Sequence, residues 1–397
     1  MSRIAKWVVA LLVIGVAVYL TLVGITGSKA REVASEQFQT YANQSPEVDL
    51  EIEWTETGFW SSEGLVTVQM DAEPLGNLVI THTMRLRHGA LGAAVAGELE
   101  ASLGGESINA RMLNGEPIIV DGRVGLGGAR LSYQVPAIEM ADEASDIVLM
   151  AAPFALDVVL KEDEQHSQAR VEWLRVTPTQ QSHAKEGVYF EGLHFSAQTR
   201  LHPDDGELLL STGESGIEYV AFNNADDQAQ MSLSQLVNEI RVERVGDNLQ
   251  FESDLSVEEI DYMGFMADLE LDVLVENIPF AAFQQFQQNA DQEGADFALL
   301  EATQQNDGKL IIKQLQTTIK DFGRVEANGE FWLREGFPRT EDAEFGDYLN
   351  GRLNVLDLPQ MLMMPLSGVI SGELPWLIEL EDGELSINGE ALDLPAH

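Results

Sequence analysis

Seven histidines are the first residues to test for chemistry, because a metal site or an acid–base pair usually draws on one. His82 and His88 share one face of a strand-like alternation with Ile80, Met84 and Leu86. On an extended chain they stand about 20 Å apart, too far to ligate one ion. His194 and His202 meet the same objection at about 26 Å. His166 and His183 fall in polar stretches read as loops, and His397 is terminal. A structural or solvated role is the expectation for all seven.

The carboxylates come next. Asn289, Asp291, Glu293 and Gly294 imitate the opening of an EF-hand loop, but its twelfth position is Leu300 and Glu301 falls one residue late. A bidentate ligand cannot slide by one residue without pointing elsewhere. With 66 acidic residues, carboxylate pairs carry no information about glycosidase chemistry. The serines between Ser211 and Gly216 do not form the G-x-S-x-G elbow of a serine hydrolase. The chain has no cysteine, so disulfides, thiolate zinc sites, iron–sulfur clusters and cysteine nucleophiles are excluded together. No G-x-G-x-x-G opens a helix. The expectation is a protein without catalytic, metal or cofactor-binding residues.

Compartment is more legible than chemistry. From Trp7 to Ser28 no side chain is charged, with Arg3 and Lys6 before the run and Lys29 and Arg31 after it. About 20 apolar residues span the roughly 30 Å hydrocarbon core of a bilayer. The run is longer than the apolar stretch of a cleaved secretory signal, and Arg31 closely follows the small residues Ser28 and Ala30. Residues 1–28 therefore read as an uncleaved single-pass anchor in a bacterial inner membrane, N-terminus cytoplasmic, with the bulk of the chain periplasmic. The net charge is −43, from 66 acidic against 23 basic residues. Such a surface repels nucleic acid and anionic headgroups, which are discounted as surface ligands; the bilayer is a partner through the N-terminal helix. High salt shortens the reach of this self-repulsion.

The elements that would position any site are strands. Val48, Leu50, Ile52 and Trp54 alternate with polar residues, as do Val66, Val68 and Met70, and Leu91 through Leu103. Leu193 to Leu201 and Leu269 to Val275 repeat the pattern. Period two means one face buried and one wet. Asn114-Gly115, Asp121-Gly122, Asp205-Gly206, Asp307-Gly308, Asn328-Gly329 and Asp382-Gly383 read as hairpin turns, and sequential hairpins make antiparallel meanders. Helix is scarce. Asn277-Ile278-Pro279 reads as an N-cap and first turn, followed by Phe280, Phe283 and Phe286 at helical spacing. Short helices are also expected over Phe297 to Ala302 and Pro359 to Pro365. The fold class is mainly β, antiparallel meander sheets forming a groove or a sandwich, with few short helices after the transmembrane helix. The polar stretch from Thr177 to Gly187 divides the exported part into β-rich subdomains 29–180 and 181–397.

Gly58-Phe59-Trp60-Ser61-Ser62, leading into Leu65-Val66-Thr67-Val68, resembles the start of the YdgA-like family of bacterial envelope proteins. Leu269 to Gln288, a strand and a Phe- and Gln-rich helix, is similar to that family's later region, as is the closing segment Asp382 to Gly389. The chain departs from the family after Gln288, where a longer helical insertion is usual. The resemblance implies an envelope location and a β-rich fold, in a family of undetermined function.

Phe59 and Trp60 are the candidate contacts to lipid or an apolar ligand, against a structural role covering the end of the core. Three functions compete. One is a tethered scaffold or carrier for an apolar envelope molecule, its layout similar to envelope lipid-bridging proteins of the AsmA type. Another is a protein-interaction module in envelope assembly or stress response, and the third is a cell-wall or lipid hydrolase.

Overall fold

The segment Asn77–Gly89 shows why this chain makes sheet. Leu78, Ile80, His82, Met84 and Leu86 are buried, while Asn77, Thr83, Arg85 and Arg87 stand exposed. Successive side chains of a strand point to opposite faces, so the alternation gives each strand one apolar face to hide. The structure, a computed structural model, describes residues 48–57, 61–71, 76–89, 92–125, 128–142, 147–161, 163–178, 187–201, 208–223, 229–288, 294–336, 348–366 and 373–392. The expected transmembrane helix lies outside the described residues. Among the described residues no helix is long and apolar enough to cross a membrane.

The fold is mainly β and antiparallel, with few short helices, in two units: residues 1–196 with 222–228, and 197–221 with 229–397. The expected boundary stretch falls largely in 179–186, outside the described residues.

The first unit contains strands β1 (Val48–Thr57), β2 (Ser61–Asp71), β3 (Asn77–Gly89), β4 (Gly92–Leu103) and β5 (Glu106–Ser107). Helix α1 (Ile108–Met112) follows, then β6 (Ile118–Gly125), β7 (Gly128–Val135), β8 (Ile138–Asp142), β9 (Ile147–Ala151), β10 (Phe154–Leu160) and β11 (Glu164–Pro178). Each long strand pairs with the next in a meander: β1 with β2, β2 with β3, β3 with β4, β4 with β6 and β6 with β7. Beyond that, β7 and β8 act as one strand interrupted at Pro136, and β9 and β10 as one strand interrupted at Pro153. Val135 pairs with Phe154 and Ile138 with Ala151, so a single register runs through the break and the two prolines oppose each other. Proline has no N–H to leave unpaired there. The partner strand β11 crosses both halves. His166, expected in a loop, lies in β11.

One face of this sheet carries a continuous core that includes Val66, Leu86, Leu99, Val120, Leu131 and Met140, each 1 % exposed or less. The helix α1 plugs one end of it. Pairing of β4 with β6 stops at Leu99–Ile118. Beyond that point the buried Asn109 side chain replaces the missing strand: its Oδ1 accepts from Ala101 N at 2.7 Å, and its Nδ2 donates to Leu99 O at 3.3 Å and Glu116 O at 3.0 Å. Ser107 caps the helix, its Oγ accepting from Ala110 N at 3.1 Å. Asn109→Ala strips partners from three backbone groups, two of them in the buried sheet end. We expect a loss of about 2 kcal/mol, read as a lower urea midpoint with an unchanged slope.

Strands β12 (Gly187–Leu201) and β13 (Leu208–Asn223) contribute residues to both units. The second unit continues with β14 (Ala229–Val245), β15 (Asn248–Tyr262), β16 (Phe265–Pro279), helices α2 (Phe280–Gln288) and α3 (Ala295–Gln305), β17 (Lys309–Ile319), β18 (Gly323–Leu333) and β19 (Leu349–Asp357). Helix α4 (Gln360–Leu366), β20 (Trp376–Glu381), β21 (Glu384–Ile387) and β22 (Glu390–Ala391) close it. From β14 to β22 every strand pairs antiparallel with its successor.

Several turn expectations are corrected. Asp382-Gly383 is a two-residue hairpin turn with both residues at positive φ (53° and 83°), as expected. Asp121-Gly122 and Asn328-Gly329 instead lie inside β6 and β18. At Gly329 a Cβ would meet Arg352 O at 2.3 Å, so this glycine marks a close approach of neighbouring strands. Asn114-Gly115 and Asp307-Gly308 terminate helices, and Asp205-Gly206 lies outside the described residues. Asn277 is not an N-cap. Strand β16 runs on through Pro279, and Asn277, at φ 63°, accepts through its backbone carbonyl from Asn306 Nδ2 at 2.8 Å.

Candidate functional site

The second unit separates its chemistry by face. Registers fix which side chains are neighbours. One row runs Val242–Phe251–Val275–Leu310–Phe331–Gly351–Leu380–Leu385 across eight strands. The next runs Ile240–Ser253–Val273–Ile312–Gly329–Leu353–Ile378–Ile387, and a third Asn238–Leu255–Leu271–Leu315–Ala327–Val355–Trp376. From β15 to β21 these rows hold no charged side chain, in a protein of net charge −43. At about 4.8 Å per strand the apolar face is roughly 30 Å wide.

That face is not sealed. Its buried cluster consists of Val355, Trp376 and Ile387 with partly buried neighbours. Leu271, Val273, Val275, Ile312 and Leu353 are only partly buried, and Leu310 is 38 % exposed. The first unit, by contrast, buries its apolar face in a large cluster. The helices sit at the β16–β17 connection. Phe280 of α2 is buried beneath the Arg244 guanidinium, 4.2 Å from its ring centroid. This helix packs on sheet, as the phenylalanine spacing predicts.

The opposite face is polar and charge-paired. Lys309 meets Glu330 at 3.1 Å, Arg352 meets Glu379 at 3.2 Å and Arg324 meets Glu326 at 3.0 Å. Lys313 bulges from β17 to reach both Glu252 and Asp272. The hydrogen bond to Glu252 raises its pKa ahead of the opposing effect of burial. Such exposed pairs contribute little stability.

A second group of polar atoms lies inside the first unit. Trp54 Nε1, both His82 ring nitrogens and Tyr133 Oη are buried without a hydrogen-bond partner. Trp54, Gly64, Met84, Gly97, Val120 and Tyr133 form one cross-strand row, and His82 projects two residues along β3 on the same face. Burial lowers the His82 pKa to about 4 and pushes the Tyr133 phenol far above its usual value. In both cases burial disfavours the charged form.

The residues singled out in the sequence are distributed as follows. Phe59 and Trp60 lie outside the described residues, as do His183, His202, His397 and most of the EF-hand-like stretch. A Ser182-His183-Ala184-Lys185 segment spells S-x-x-K, a pattern found in penicillin-binding hydrolases, and it too lies outside them. His194 Nδ1 is 3.2 Å from Gly192 O. Among the described residues no group of three or more His, Asp or Glu side chains is placed to hold a metal ion. The alternation in Leu269–Val275 is legible in the sequence, but the face it joins is not. The row through Leu271 ends on Trp376 of β20, and the row through Val273 ends on Ile387 of β21, both far behind β16 in the chain.

Residues 1–330 match the model of a family described as a bacterial protein of unknown function (DUF945). No curated protein and no solved structure matches the chain.

Proposed function

We propose a function for this chain, which belongs to the bacterial DUF945 family of unknown function: it is a tethered, non-enzymatic carrier or scaffold that holds an apolar envelope molecule on the sheet of its second unit. The supporting observation is the apolar face from β15 to β21, free of charge and only partly buried. A folded sheet normally hides such a face. A partly open one gains about 25 cal/mol for each Å² of apolar ligand surface it removes from water. A lipid acyl chain suits it, since its contacts are non-directional and the face has few polar groups to satisfy. The resemblance to the YdgA-like family and the apolar segment Trp7 to Ser28 support an inner-membrane tether with the sheet in the periplasm. In this reading the acidic surface keeps the exported part soluble and away from anionic headgroups.

The test is lipid content. The full chain and its Val273→Glu variant are purified in parallel, and extracted lipid is quantified by mass spectrometry. A carboxylate in the middle row would have to be desolvated by any bound acyl chain. The wild type is expected to carry about one lipid per chain in excess of the variant (order-of-magnitude, one site), with circular dichroism of the two matching. Equal lipid content in both would remove the carrier reading and favour a protein-interaction role for the face.

A further inference from the structure

We propose that the tip of the second unit formed by the β15–β16 and β17–β18 turns docks a basic amphipathic segment of a partner protein, apolar on one side and rich in lysine or arginine on the other. The proposal does not depend on what the apolar face carries. The two turns are neighbours: Ala267 pairs with Ile319, and Lys320 N donates to Met266 O at 2.8 Å. At this tip Met263 is 71 % exposed, Tyr262 56 % and Phe265 55 %. Phe322 of the second turn is 40 % exposed, its ring centroid 6.0 Å from that of Phe265. An apolar cluster left in water in this way marks an interaction surface.

Two local features oppose folding here. Tyr262 pairs with Phe265, so Met263-Gly264 is a two-residue turn, with φ 53° at Met263 and 90° at Gly264. Asparagine, aspartate or glycine suits the first position; a methionine there is strained and gains no burial in return. Between Val257 and Ile260 the register of β15 on β16 shifts, which sets Glu258 and Glu259 opposite Asp268 alone. Like charges held opposite one another across strands are destabilising, and a bulge is where a strand re-aims its side chains. Backbone strain and crowded carboxylates kept together at an exposed tip are characteristic of binding sites.

Charge selects the occupant. Asp261 flanks the first turn, Asp321 lies in the second, and Glu326 pairs with Asp357 across β18 and β19 beside it. The cations nearby are Lys320, whose ammonium reaches Met266 Sδ at 3.5 Å, and Arg324, which Glu326 already holds at 3.0 Å. The rim of the apolar cluster is therefore acidic. Glu258, Glu259, Asp321 and Asp357 are exposed, and none has an ion pair among the described residues. An anionic lipid surface is repelled by such a rim, and a second copy would bring the same carboxylates to the contact. A zwitterionic headgroup couples each cation to its own phosphate, and desolvating these carboxylates beside it is costly. A basic segment matches both features. Its apolar side covers Met263, Phe265 and Phe322, the methionine adapting to the shape it meets. Its ammonium or guanidinium groups meet the carboxylates and the exposed aromatic faces. Apolar exposure sets the place, and the acidic rim sets the sign of the partner.

The chain's lack of cysteine makes the test direct. A polarity-sensitive fluorophore is placed on Met263→Cys in the full chain, held in an uncharged detergent. The control label is on Val245→Cys, exposed at the opposite end of β14. The probe is a synthetic amphipathic peptide of leucine and lysine, with a counterpart carrying glutamate for lysine. The lysine peptide is expected to shift the label at 263 to the blue with saturation, to leave 245 unchanged, and to bind less tightly as salt is added. Glu258→Gln, Glu259→Gln, Asp321→Asn and Asp357→Asn together should weaken its binding by about tenfold, and so should Phe322→Ser alone. The same change of charge on the exposed Glu98, Glu100, Asp121 and Glu139 of the first unit should leave it unaltered. Equal losses from the two neutralised sets would reduce the effect to net charge and overturn the proposal, as would equal binding of the two peptides. A peptide-free blue shift on reconstitution in phosphatidylcholine vesicles would assign the tip to a bilayer instead. One that grows with protein concentration would assign it to a second copy, and either result overturns the proposal.

Discussion

Leu131→Ala is expected to destabilise the first unit by about 3–5 kcal/mol, whereas Leu271→Ala costs the second unit about 1 kcal/mol. Leu131 is 0 % exposed at the centre of the first unit's cluster, paired across the sheet with Gly122 and Val158. Removing its isobutyl group loses transfer free energy and leaves a cavity that close-packed neighbours cannot fill. Leu271 occupies the same kind of alternating position, between Leu255 and Leu315, but is only partly buried. Its truncation deepens a surface that is already open, so the cavity contribution disappears. Calorimetry of the full chain should show a drop of roughly 10 °C for Leu131→Ala and a few degrees for Leu271→Ala. The second substitution should instead lower bound lipid. Equal losses of stability at the two positions would mean that the second unit's apolar face is as tightly filled as the first, and the carrier reading would lose its basis.

These two leucines also mark what could be read from the chain and what could not. Alternation in Val66–Met70 and Leu269–Val275 is local, so strands and their apolar sides were legible residue by residue. Whether a face is covered depends on which elements fold over it, and that is a long-range property. The dipeptides illustrate the same limit. Asn328-Gly329 and Asp382-Gly383 have the same turn preference, yet the first pairs in mid-strand with Asn354 and Leu353 while the second closes a hairpin. Tertiary pairing overrides a preference worth a fraction of a kcal/mol. Met263-Gly264 shows the reverse: a two-residue turn that composition disguised, because methionine is a poor residue for it. That turn was hidden for this reason, and Asn109 for another, since a single asparagine replacing a strand leaves no pattern.

The first unit should be acid-labile through one residue. His82 is 3 % exposed, flanked across the sheet by Val66 and Leu99 and along its strand by Ile80 and Met84. Its ring lies over Gly97, where an added Cβ would stand 2.8 Å from Nε2. No charged side chain shares that row of the core face, and burial lowers the pKa from 6.5 to about 4. Above pH 6.5 both the folded and unfolded chains hold the ring neutral, and it contributes no pH dependence. Between 6.5 and 4 the unfolded chain takes up a proton that the folded chain refuses, so stability falls as the pH drops and levels off below 4. The full loss is about 3 kcal/mol. His82→Leu should flatten urea midpoints across this window. At pH 7.5 it should be at least as stable as the wild type, because it removes two buried nitrogens that lack partners. A His82→Leu chain that still lost stability as steeply on acidification would place the responsible proton on another group, and the orphaned imidazole would then be tolerated in the core in its charged form.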